Sequence, residues 1–195
     1  MSMLAYFIRH GQTDWNAEFR FQGQAEVDIN ARGREQARAN GRLLAGLIAD
    51  ASAFDFVASP MRRTRETMEI IRAEMGLPAE GYRTDGRLVE VHFGDWQGHT
   101  AVEIEAVLPG SVGAREGNKW GFLPPGAGAE SYERLSERVR PWLDELSRPT
   151  VCVTHGGVMR AVLLMMGALS RSEAEAMEVP QDRVLRLEGG RLDWL

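Results

Sequence analysis

Three short apolar runs, each breaking off into polar residues and followed by a helical repeat, constrain this chain more than any other feature. They are MLAYFI (3–8), FDFVASP (54–60) and PTVCVTHGG (149–157). Runs this short, without polar alternation, suit strands buried on both faces. Between them lie segments with helical spacing. From Asn30 as N-cap, residues 31–49 carry Ala37, Gly41, Leu44, Leu47 and Ile48 on one side, and residues 61–75 do the same with Met61, Thr64, Met68 and Ile71. Residues 131–147 repeat Tyr132, Leu135, Val139, Trp142 and Leu146, with a kink expected at Pro141, and 158–169 form a nearly all-apolar helix. The closing stretch, 184–195, predicts a β-hairpin across Gly189-Gly190. Residues 82–91 read as a strand running into a loop. Alternation of this kind predicts an α/β fold, a three-layer α/β/α sandwich around a mostly parallel sheet.

At 195 residues, with neither a linker nor an internal repeat, 1–195 is expected to form a single domain. Residues 94–130 are rich in Gly and Pro, and only 100–108 suggest a helix. A long irregular stretch of this kind is expected to be a loop or lid insertion.

The formal charge of −5 argues against a nucleic-acid partner, because such proteins usually carry a basic footprint. No apolar run approaches the roughly 18–20 residues of a membrane span, and the N-terminus lacks the pattern of a signal peptide. Cys152 is the only cysteine, flanked by valines, and reads as a core residue. A single thiol closes no internal disulfide, so the expected location is cytoplasmic.

In open parallel sheets, ligands bind beyond the carboxyl ends of the strands. Three polar clusters fall there: Arg9-His10-Gly11, Ser59 to Arg65, and Thr154-His155-Gly156-Gly157. Zinc suits them poorly, since no histidine pair has ligand spacing and the neighbouring arginines would repel a cation. No metal is expected. No G-x-S-x-G elbow is present, and GAGAE (126–130) lacks the Gly-Lys-Ser/Thr ending of a P-loop. Phosphate chemistry fits better, because arginine binds oxyanions with its planar fork and a neutral imidazole can accept a phosphoryl group. Nearby positive charge would keep that imidazole neutral. A carboxyl group must then protonate the leaving oxygen, and spacing alone does not choose it among 28 acidic residues.

RHGQTDWN (9–16) resembles the R-H-G-[E/Q]-[T/S]-x-x-N signature of the histidine phosphatase superfamily, also called the phosphoglycerate mutase-like family. Four further segments follow in that family's order: SPMRRTRET, LVEVHFGDWQG, GAGAESYERLSERV and VTHGGVMR. The resemblance runs from about residue 4 to 165. It implies a metal-independent phosphomonoester hydrolase with no cofactor, acting on a small phosphorylated metabolite. It makes His10 the nucleophile that becomes phosphohistidine, with Arg9, Arg63 and His155 completing the phosphate pocket. Glu90 would be the proton donor and later the base. Asn16, Gln22, Gly23 and the Gly156 N–H would line the phosphate end. A homodimer is among the arrangements the resemblance allows.

Arg62 and Arg65 are expected to be solvated, and His92 and His99 to be surface groups beside Glu90. Trp96 and Trp120 either pack the loop or stack on substrate. Thr64, Gln97 and Ala129 depart from the family's pattern without removing a catalytic group. Cofactor-dependent mutases carry extra basic stretches that bind a second phosphate. Residues 99–130 hold only Arg115 and Lys119, which favours a phosphatase similar to the bacterial broad-specificity and α-ribazole-phosphate enzymes. A mutase, or a binding protein without turnover, are the alternatives.

Overall fold

The computed structural model describes residues 4–195. Six strands form one mixed sheet in the order β3-β2-β4-β1-β5-β6: β1 (Leu4–Arg9), β2 (Asp55–Ala58), β3 (Arg83–Thr84), β4 (Thr150–Thr154), β5 (Val184–Glu188) and β6 (Arg191–Trp194). β1, β2, β3 and β4 pair in parallel, while β5 runs antiparallel to both β1 and β6. The expected α/β sandwich with a mostly parallel sheet is therefore present. Met3, the first residue of the predicted opening strand, lies outside the described residues.

Both faces of the sheet are covered, which is why its central strands read as unbroken apolar runs. Phe7, Val57, Cys152 and Leu185 point into one core, built largely on α6 (Tyr132–Asp144) and α7 (Gly156–Met165). Tyr6, Ile8, Val151 and Val153 point into the other, against α2 (Ala31–Leu47) and α3 (Arg62–Glu74). Cys152 is fully buried, as its flanking valines implied. The helices expected after β1 and β2 form near their predicted bounds, with Asn30 accepting the Gly33 N–H as the α2 cap. Pro141 lies inside α6, which ends three residues beyond it. The hairpin turns on Gly189 and Gly190, both with positive φ, as a tight two-residue turn requires.

Three expectations need correction. Residues 94–130 hold one helix more than expected. A short 3-10 turn (Gly94–Trp96) precedes two helices, α4 (Ala101–Val107) and α5 (Ser111–Gly117). α5 was hidden by its glycines, which have weak helix propensity. Its start is held from outside by the Glu105 carboxylate, which accepts the Gly110 and Val112 N–H groups. The strand expected at 149–157 and the helix expected at 158–169 were also misplaced by one to four residues, because β4 spans Thr150–Thr154 and α7 spans Gly156–Met165. Finally, α7 is not the last helix: α8 (Arg171–Ala176) follows, opened by a capping box at Ser170 and Glu173. A four-residue helix, α1 (Asp14–Ala17), also follows β1.

Candidate active site

After β1 the chain crosses to the α2 face, and after β4 it crosses to the α7 face. The adjacent carboxyl ends of these strands are thus the place where connections diverge, where a crevice is expected. His10 and His155 follow directly on the two strands. The His10 N–H still bonds the Thr154 carbonyl at 2.9 Å, and the two imidazole centroids lie 5.2 Å apart. A cavity of about 610 Å³ opens over them, lined by Arg9, His10, Arg63, Glu90 and Asn16 and by the Gln22-Gly23 and Gly156 backbone. Of the residues expected to be catalytic or to bind substrate, all except His155 line it, and His155 stands fully buried beside His10.

The His10 Nδ1 lies 2.8 Å from the Gly11 carbonyl oxygen. A carbonyl only accepts, so this contact assigns the proton to Nδ1 and leaves the Nε2 lone pair free. Burial first, then the Arg63 and Arg9 charges, push the His10 pKa well below its usual value of 6.5. The imidazole is therefore neutral at neutral pH. His155 is depressed in the same direction by burial, then by Arg63, His10 and Arg9. Its Nε2 meets the Ser59 hydroxyl at 2.8 Å, and Ser59 in turn accepts the Met61 N–H. With the hydroxyl donating to Nε2, the His155 proton sits on Nδ1.

Arg9 and Arg63 are held from behind. Arg9 donates to the Val179 carbonyl at 2.7 Å, and Arg63 donates to the Ala25 and Gly23 carbonyls at 2.8 and 2.6 Å. Burial brings the pKa of each down to about 10, so both remain cationic at neutral pH. Three buried nitrogens around His10, the Nε atoms of Arg9 and Arg63 and Nδ1 of His155, have no hydrogen-bond partner. Unpaired buried donors are rare, and together with the two arginines they suit a group with several anionic oxygens.

Glu90 reaches the same cavity with its oxygens fixed by backbone N–H groups, from Val91 at 2.9 Å and from Gly157 at 3.0 Å. A Cβ on Gly157 would come within 2.1 Å of the Glu90 Oε1, so only glycine leaves room for this carboxylate at the start of α7. Asn16 Oδ1 accepts from the Thr13 N–H and from Gln181 Nε2, leaving its amide NH2 for the cavity.

Three further side chains around the cavity, Gln181, Arg138 and Arg160, were given no role in the sequence reading, while Arg115 and Lys119 were noted there only as the basic residues of 99–130. Gln181 ties Asn16 to the His10 carbonyl. Arg138 donates to the Arg87 and Val89 carbonyls and pairs with Glu130 at 2.8 Å, bracing the segment that carries Glu90. Arg160, Arg115 and Lys119 line the outer cavity. Arg160 follows His155 by five residues, a spacing that places it one turn along α7 and was the one available signal. Gln97 uses its carbonyl oxygen to accept the Gln24 N–H at 2.7 Å, so the departure from glutamate keeps an acceptor in place.

The remaining sequence questions have direct answers. Arg62 is mostly exposed and pairs with Asp28, and Arg65 is exposed. His99 is exposed near Glu103, whereas His92 is half-buried and accepts the Gly94 N–H. Trp96 and Trp120 are packed inside, with 1% and 2% exposure, and so neither presents a face to the cavity. Among the described residues, no helix is long and apolar enough to cross a membrane.

A buried neutral imidazole, flanked by arginines and faced by a carboxylate at the ends of parallel strands, defines a phosphoryl-handling site on an α/β fold. The chain belongs to the histidine phosphatase superfamily (branch 1), whose pattern matches residues 5–194. It is 36% identical to a glucosyl-3-phosphoglycerate phosphatase of Mycolicibacterium vanbaalenii, over 80% of this chain and 70% of that protein. The mycobacterial glucosyl-3-phosphoglycerate phosphatase in complex with VO3 superposes with a TM-score of 0.80 at 29% identity, covering 99% of this chain and 96% of that one. A putative α-ribazole-5'-P phosphatase of Escherichia coli, 22% identical, shares the fold with a TM-score of 0.78 over 100% and 95% of the two chains. 2,3-Bisphosphoglycerate-dependent phosphoglycerate mutases are more distant relatives.

Proposed function

We propose that this protein is a phosphomonoester hydrolase that works through a phosphohistidine on His10, on a small phosphorylated metabolite. The observation that carries this is the neutral His10, its Nε2 lone pair free, beside Arg9 and Arg63, which form no ion pair within 4.0 Å among the described residues. Arg9, Arg63, His155 and the Asn16 amide hold the three phosphate oxygens. His10 Nε2 attacks phosphorus as the ester P–O bond breaks, and Glu90 gives its proton to the leaving oxygen. The Gly11 carbonyl, accepting from Nδ1–H, steadies the positive charge that develops on the ring. Glu90, now a carboxylate, takes a proton from water as that water displaces the imidazole and releases inorganic phosphate. Fixed donors around the transferring group stabilise its charge without reorganising.

Residues 1–195 act as one domain in this account, with 94–130 forming the outer wall of the cavity as a lid. Transfer to water, rather than back to a substrate as in a mutase, is supported by the open rim, where Phe19 is 84% exposed. The single buried cysteine supports a cytoplasmic setting. A homodimer rests on family resemblance alone, and sedimentation at micromolar concentration checks it.

Hydrolysis of p-nitrophenyl phosphate in EDTA tests the activity. Wild type should turn over, and His10→Ala should lose at least 10³-fold in kcat, in line with removal of a covalent nucleophile. No turnover by wild type between mildly acidic and neutral pH would overturn the hydrolase assignment. Interconversion of 3- and 2-phosphoglycerate dependent on added 2,3-bisphosphoglycerate would establish the mutase instead.

A further inference from the structure

The sheet has two edges, and they are not alike. β3 is two residues long, which leaves almost nothing to pair with, whereas β6 offers four residues without a proline or a bulge. The phase of its hydrogen bonds follows from the last pair, since Val184 and Leu195 exchange both main-chain bonds, at 3.3 and 2.8 Å. Bonded pairs alternate along an antiparallel ladder. Asp193 and Arg191 therefore turn their main chain toward β5, and Leu192 turns its N–H and C=O outward. Trp194 turns outward too, but its carbonyl already accepts from the Arg183 guanidinium at 3.0 Å. The open part of the edge is centred on Leu192.

The side chains around that centre complement their own reverse. In two antiparallel copies related by a two-fold axis at Leu192, leucine meets leucine, Arg191 meets Asp193, and Gly190 meets Trp194. Arg191 and Asp193 are exposed on one face of β6, so this pairing makes the Arg–Asp contact twice. Arg191 has no acidic partner within 4.0 Å among the described residues, because Arg186 takes both Glu188 and Asp193. On the other face, Leu192 and Trp194 are half-buried against the core under α6 and α7. A Cβ built on Gly190 would meet nothing within 4 Å, which leaves room for the indole of a second copy. Moving the axis one residue, to Asp193, would set aspartate against aspartate, and like charges directly opposite are unfavourable.

We propose that β6 is an interface between two copies of this chain, paired antiparallel about a two-fold axis at Leu192, so that two six-stranded sheets continue as one. The contact uses up both β6 edges, and assembly stops at two. β6 runs in the direction of β1, so the two catalytic cavities open at opposite ends of the joined sheet and neither copy covers the other's. The inference is independent of the chemistry at His10.

The test is sedimentation velocity at tens of micromolar, where wild type should run as a dimer. Arg191→Glu sets the new carboxylate against Asp193 of the second copy, twice. Asp193→Arg sets the new guanidinium against Arg191 of the second copy, also twice. Each variant alone should raise the dimer dissociation constant tenfold or more and run as a monomer. Mixed in equal amounts, the two variants oppose unlike charges at every position and should run as a heterodimer, which also shows that both are folded. Leu192→Pro removes an N–H that β5 does not use, so it should be monomeric and keep the wild-type circular dichroism. If the proline variant fails to fold, the two charge variants carry the test. A wild type that is monomeric at this concentration would overturn the proposal. So would a dimer that persists in a folded Leu192→Pro or in either charge variant alone, or variants that stay apart on mixing.

Discussion

In the proposed mechanism His10 attacks only while neutral, and its neutrality has a thermodynamic consequence. The folded protein refuses protons at His10 and His155 that the unfolded chain accepts below pH 6.5. Stability from these two groups is therefore complete above pH 6.5 and falls as the pH drops. The loss is up to about 1.4 kcal/mol per pH unit for each histidine. Urea unfolding should show a lower midpoint at pH 5.5 than at pH 7.5, and a midpoint that does not fall would contradict the buried neutral pair. Phe19 presents a second case at this scale. It follows the end of α1 with φ of 57°, a left-handed conformation that disfavours most side chains, yet it is 84% exposed. Phe19→Asn should raise stability by about 1 kcal/mol in thermal melts, since asparagine tolerates that conformation better.

Elements place Glu90, the proposed proton donor, through contacts that leave little slack. α7 begins so close to Glu90 that its second residue must be glycine. Gly157→Ala should displace the carboxylate and reduce kcat by 10² or more, as loss of a general acid would, with a smaller change in KM. Arg138 of α6 acts from behind, joining the Arg87 and Val89 carbonyls to Glu130. Replacing it by Met leaves Glu130 without its cation. A cost of about 2 kcal/mol is expected for this partly exposed pair, together with a lower kcat. By contrast, Gln97→Glu keeps the oxygen that accepts the Gln24 N–H, and kcat/KM should change by less than threefold.

At the scale of the whole molecule, a protein of net charge −5 carries a cavity lined by unpaired cations. Such a focused field attracts a dianionic substrate and weakens as salt screens it, so KM for p-nitrophenyl phosphate should rise several-fold between low salt and 0.5 M NaCl. The same contrast explains what the sequence revealed. Strand ends were legible because a doubly buried strand cannot hide its apolar run; Arg9 closes one such strand, and His10 and His155 stand directly after two of them. Glu90 stands on no regular element, and only its motif distinguished it from other acids. The bracing by Arg138, Gln181 and Arg160 stayed illegible. Their roles depend on main-chain carbonyls brought near by folding, which no side-chain pattern encodes. α5 was lost for a different reason, its cap coming from Glu105 rather than from its own first residue.

The phosphohistidine is the central claim, and trapping it is the most direct measurement. Wild type mixed with a 32P-labelled phosphomonoester and quenched in alkali should retain label on a peptide containing His10, stable to base and lost in acid. His10→Ala should retain none. Turnover by wild type without any such label, or label of the same kind on His10→Ala, would contradict the account.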